Sequence, residues 1–103
     1  MALTHAVLEY TYGDDYLEAR EEYRAAHLEV AWAAVDRGDL VLGGALGEGP
    51  YSGLLVFAGD DAVKLAQNFA EVDPYVVGGV VREWVARPWT TVVGQGAATP
   101  VRP

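Results

Sequence analysis

Residues 53–74 read GLLVFAGDDAVKLAQNFAEVDP, and the fold follows from this stretch. Gly53 to Ala58 is a continuous apolar run opened by glycine, the pattern of a buried strand. Asp60-Asp61 then offers an acidic N-cap, and Ala62, Leu65, Ala66, Phe69 and Val72 share one helical face. Asp73-Pro74 ends the helix, because a residue before proline disfavours the α conformation. A strand therefore feeds an amphipathic helix.

Working outward towards the N-terminus, Gly49-Pro50 marks a turn, and Asp39 to Gly47 supplies a strand through Leu40, Val41 and Leu42. The second and third strands should form a hairpin. Between Tyr16 and Arg37 there is no Pro or Gly, and Leu17, Leu28, Ala31 and Val35 recur at helical spacing until Gly38 supplies a stop. This predicts one long first helix, opened by Asp14 or Asp15 as N-cap with Glu18 completing a capping box. Residues 3–12, LTHAVLEYTY, alternate with the period of two that defines a strand. In the other direction, a short connection from Tyr75 to Gly79 leads to an alternating strand over Val80–Ala86. Arg87-Pro88 interrupts it, and Trp89 to Val93 extend the pairing. The order is βαββαβ, a ferredoxin-like α+β arrangement in which two helices cover one face of a four-stranded antiparallel sheet. Residues 1–94 form one domain, and 95–103 read as a flexible C-terminal tail.

With 103 residues, 51% of them hydrophobic, the chain supports one core and not two. The absence of cysteine excludes disulfides, thiolate zinc sites and a thiol nucleophile, and two histidines make a histidine-rich metal cage improbable; neither a metal nor a cofactor is expected. The net charge of −8, with scattered Lys and Arg, argues against nucleic acid as a partner. The start of the chain lacks the basic segment and apolar stretch of a signal peptide, and no apolar run approaches the ~20 residues that span a bilayer, so a cytoplasmic protein with no membrane association is expected.

Two helices cover only one face of such a sheet, yet the third strand has no polar alternation, and Val7, Val41, Val81 and Val85 cannot all point at the helices. A two-fold homodimer with stacked sheets would cover the second face and bury part of Trp84 and Trp89.

The first helix turns polar towards its start: Arg24 falls within its apolar stripe, with Arg20, Glu21 and His27 at the margins. The plain reading of the three charged residues is solvated surface pairing; the alternative is the border of a cleft. His27 is the only histidine on a predicted helix, and histidine is the natural proton-transfer group near neutral pH. Asp73 either caps local backbone amides or serves a site. Arg24 is a candidate for holding a substrate anion, and Tyr10, Tyr12 and Tyr75 for aromatic walls or a phenolic hydrogen bond.

Arg24-Ala-Ala-His27-Leu28, together with Asp73-Pro74-Tyr75, resembles the pair of motifs that marks the YciI-like (YCII-related) family, and the resemblance spans Leu3 to about Val93. Gly43-Gly44, Gly53, Gly79 and the closing Arg87-Pro88-Trp89 support it. The resemblance implies the dimeric α+β barrel superfamily, a homodimer, and a candidate active site at His27 and Asp73. Its wider superfamily implies a small, aromatic-derived organic acid or quinol as substrate, handled by cofactor-independent isomerase or lyase chemistry. The alternative is a non-enzymatic dimeric module that holds a small metabolite.

Overall fold

The computed structural model describes residues 2–103. Its elements are β1 (Thr4–Tyr12), α1 (Tyr16–Ala19), a 3-10 turn (Arg20–Glu22), α2 (Arg24–Asp36), β2 (Leu40–Leu46), β3 (Ser52–Gly59), α3 (Ala62–Val72), α4 (Pro74–Val77) and β4 (Val81–Trp89). The four strands form one antiparallel sheet in the order β2-β3-β1-β4, the ferredoxin-like arrangement that the sequence predicts, with the helices on one face.

Alternation in β1 sets the two faces. Ala6, Leu8 and Tyr10 point at the helices and are buried, opposite Phe57, Leu55 and Gly53 of β3. Helix α3 closes this side with Ala62, Ala66, Phe69 and Ala70, and the Asp61 carboxylate caps it by accepting from Lys64 N at 3.2 Å. Val72, expected on the buried stripe, is 61% exposed, because the buried set of Ala62, Ala66, Phe69 and Ala70 centres the stripe more than a quarter turn away from it. Asp73 follows with an extended backbone (φ −64°, ψ 122°) imposed by Pro74, and the chain restarts at once as the one-turn α4.

The single long first helix is corrected. The chain opens with one α turn, tightens to 3-10 over Arg20–Glu22 and restarts at Arg24, and the Asp15 side chain makes no capping hydrogen bond. Tertiary contacts on either side fix this break. Tyr16 stacks on Tyr12 (centroids 3.9 Å, planes 14° apart), and the Tyr23 ring lies so close over Gly78 that any side chain there would collide with it. The changed phase turns Leu17 outward and leaves Leu28 half exposed, so neither belongs to the core.

Strand β4 is likewise continuous through Pro88, which stands opposite Ala6, and ends at Trp89 instead of extending beyond it. An outermost strand has one side without ladder partners, so the missing N–H is tolerated. After it, Thr91 Oγ1 meets His5 Nδ1 at 2.7 Å and accepts from Ala98 N, while Val101 N donates to Val92 O, so the terminal segment folds back on the residues just before it.

The second face of the sheet carries His5, Val7 and Glu9 of β1, Leu54 and Val56 of β3, Leu42 and Leu46 of β2, and Val85, Arg87 and Trp89 of β4. Val81 and Trp84 lie on the helix side instead: Val81 is core, and Trp84 packs against it opposite Tyr10. At the centre of the open face, Arg87 clasps Glu9 through two hydrogen bonds of 2.8 Å. Among the described residues, no helix is long and apolar enough to cross a membrane.

Candidate active site

Pro74 fixes the backbone at Asp73, and the side chain turns back to cap α4 by accepting from Tyr75 N at 3.0 Å. The capping function foreseen for Asp73 is thus present, but it is one of three contacts. Oδ1 also lies 2.7 Å from His27 Nδ1, and Oδ2 accepts from the Tyr10 hydroxyl at 2.6 Å. The carboxylate is fully buried and faces donors on every side, which suits its ionised, acceptor-only form. Nδ1 of His27 must then carry the proton, which leaves Nε2 for a ligand.

The imidazole is held a second way. The Tyr75 ring lies parallel to it, centroids 3.8 Å apart and planes 3° from coplanar direction, so one short segment, Asp73-Pro74-Tyr75, supplies both the carboxylate and the stacking ring. Burial first, then the Asp73 carboxylate, pushes the Tyr10 phenol far above its usual range; it stays protonated and keeps donating. Burial also raises Tyr75, against the opposing pull of Arg24 and Arg20.

His27 and Tyr75 form part of the wall of a cavity of about 440 Å³ between α2 and the β2–β3 side of the sheet. Apolar residues of α2, Leu28, Ala31, Trp32 and Val35, line this space with Leu40 and Leu55; Ala31 and Val35 also pack against the core. Arg20, Arg24, Tyr12 and Tyr16 complete its polar end. The dimensions suit a small molecule.

The structure therefore brings together His27, Asp73, Tyr75 and Arg24 of the residues singled out in the sequence. Tyr10 is placed differently from expectation: it is 1% exposed, stands behind Asp73 and does not line the cavity, so it meets the carboxylate and not a ligand. Two residues were not proposed for ligand contact. Tyr16 accepts from Arg20 Nη1 at 3.0 Å, and both line the cavity; the run of polar residues at the start of the first helix was the available signal. Among the described residues, no group of three or more His, Cys, Asp or Glu side chains gathers as a metal site.

Fold and site together define a ferredoxin-like α+β domain with a buried carboxylate holding an imidazole in the wall of a small-molecule-sized cavity. No family model and no curated protein sequence matches the chain. Among solved structures, it is similar to 5-chloro-2-hydroxyhydroquinone dehydrochlorinase (TftG) from Burkholderia phenoliruptrix AC1100, in complex with 2,5-dihydroxybenzoquinone. The TM-score is 0.68 with 19% sequence identity, over 84% of this chain and 94% of that one. At that identity the likeness is one of fold.

Proposed function

We propose that this chain is a dimeric enzyme of the isomerase or lyase type that acts on a small aromatic-derived acid or quinol, with His27 as the general acid–base and Asp73 as its orienting partner. The observation that carries this reading is the 2.7 Å contact of His27 Nδ1 with a fully buried carboxylate, which directs Nε2 to a ligand in the cavity that His27 lines. In the keto form of a quinol substrate, in which hydroxyl protons have moved to ring carbons, Nε2 takes a proton from the carbon next to a carbonyl, and the C–H electron pair moves into the ring system. Either a leaving group departs with its own pair, or the proton returns at another carbon. Each step balances with the side chains present. The YciI-like motifs and the solved quinone complex of a protein with the same fold support the substrate class.

The homodimer belongs to the same proposal, since the apolar second face of the sheet needs cover and its one central charge pair is already satisfied within the chain. The test is turnover of 5-chloro-2-hydroxyhydroquinone and related hydroxylated aromatic acids, followed by absorbance and chloride release. Wild-type protein should turn over at least one, and His27→Gln should lose ~100-fold or more of that rate while remaining folded. Tight binding without turnover of any of them would instead make the chain a metabolite-holding module.

A further inference from the structure

The cavity beside His27 is positively charged in an otherwise acidic molecule. The chain has 15 Asp and Glu against 7 Lys and Arg, yet no carboxylate residue lines this cavity, whereas Arg20 and Arg24 both do. Ion pairs with carboxylates among the described residues engage Arg37, Arg82 and Arg87, and neither Arg20 nor Arg24. Surface pairing, the plain expectation for these two residues, is not what the structure holds.

Arg20 is the more constrained of the two. Its Nη1 donates to the Tyr16 hydroxyl, and its guanidinium carbon lies 5.0 Å from the centre of the Tyr16 ring, so the head group is fixed against an aromatic surface. Its Nε is buried and has no acceptor. A buried donor left unanswered is costly, and the residue that carries this cost stands in the cavity wall, where its guanidinium is available to a ligand oxygen. Apolar residues of α2 and β3, among them Ala31, Val35 and Leu55, form the remaining wall.

We propose that Arg20 and Arg24 form an anion subsite, and that the ligand is a compact apolar ring carrying a planar oxyanion that meets Arg20. The inference rests on the reading of this cavity as the ligand site and narrows it: a neutral quinol is a poor ligand, and a carboxylate or an ionised enol is a good one. Guanidinium suits such oxygens because it presents several donors in one plane.

Calorimetric titration of the whole protein with 2,5-dihydroxybenzoate, 2,5-dihydroxybenzamide, 2,5-dihydroxybenzoquinone and hydroquinone tests this. The carboxylate should bind at least about tenfold more tightly than its amide, with a preference that weakens as salt rises. Comparison with the acidic dihydroxybenzoquinone tells whether carboxylate or enolate is the better oxyanion. Arg20→Met and Arg24→Met should each remove most of the preference, and Arg20→Lys should restore part of it. Equal binding of acid and amide by wild-type protein, binding of none of the four, or an unchanged preference in folded Arg20→Met would overturn the proposal. If Arg20→Met does not fold, the wild-type acid–amide comparison and Arg24→Met decide. The same titrations on His27→Gln separate the two readings: there the anion preference persists whether or not wild-type protein has turnover.

Discussion

His27 and Asp73, 46 positions apart in sequence, meet at 2.7 Å, with the carboxylate fully buried and the imidazole 14% exposed. The buried partner is therefore structural support as well as an orienting group, and the two roles separate by substitution. Asp73→Ala leaves the Tyr10 hydroxyl and the Tyr75 N–H without an acceptor and should lower stability by about 3 kcal/mol or more in urea unfolding. Asp73→Asn keeps the volume and one acceptor oxygen; its midpoint should lie between the two, while turnover falls as far as in Asp73→Ala.

Tyr10 meets the candidate site through its hydrogen bond to Asp73 and its edge-on contact with Tyr12. Tyr10→Phe removes the 2.6 Å hydrogen bond to Oδ2 without changing the cavity wall. Stability should drop by about 1–3 kcal/mol, and kcat should fall with KM nearly unchanged. A raised KM with unaltered kcat would show that the phenol touches substrate after all.

Alkaline pH should unfold this protein earlier than its carboxylates would suggest. Burial raises the Tyr10 phenol first and Asp73 raises it further, and Tyr12 is raised by burial and then by Tyr16. The folded state thus holds these protons while the unfolded chain releases them near pH ~10, so the stabilisation is complete below that pH and is lost as pH rises above it. Urea midpoints measured from about pH 8 to about pH 11 should fall at the high end with a slope of up to ~1.4 kcal/mol per pH unit for each such phenol. Tyr10→Phe should flatten that slope.

Gly53 ties β3 to the site. A Cβ there would sit 2.8 Å from Tyr10 Cβ, an atom fixed to the backbone of β1. Gly53→Ala should therefore cost about 1–3 kcal/mol and, by displacing Tyr10 and the Tyr12 ring of the cavity wall, reduce turnover although Gly53 itself lies outside the cavity. A fully active Gly53→Ala protein would show that the Tyr10–Asp73 bond is not needed for orientation.

Sedimentation should show two copies per particle for wild-type protein and one for Val56→Glu, which adds an unpaired carboxylate to the open face opposite Val7. A wild-type chain that sediments as a single copy at working concentration would remove the homodimer from the proposal.

The element order was legible because period-two alternation in residues 3–12, the Asp61 cap and the Asp73-Pro74 stop are local signals that local structure obeys. The break in the first helix was not legible. Arg20 to Arg24 contains only residues that helices accept, and the interruption comes from Tyr16 on Tyr12 and Tyr23 on Gly78, contacts that exist only once the sheet has formed. His27 and Asp73 were visible as motifs and Tyr10 as a candidate for ligand contact, but the bond of Tyr10 to Asp73 was not legible. An inward-facing tyrosine in an alternating strand looks like packing until the residue across from it is known to be a buried carboxylate.

The two outermost strands differ in a way that governs how the protein fails. A foreign strand laid beside β4 would meet a missing donor at Pro88 and the charges of Arg82, Glu83 and Arg87, whereas β2 offers seven consecutive uncharged, exposed or apolar residues from Leu40 to Leu46. Lateral growth into aggregates is thereby one-sided. A single lysine at Leu42 should delay heat-induced fibre formation, followed by dye fluorescence, more than any charge added to β4.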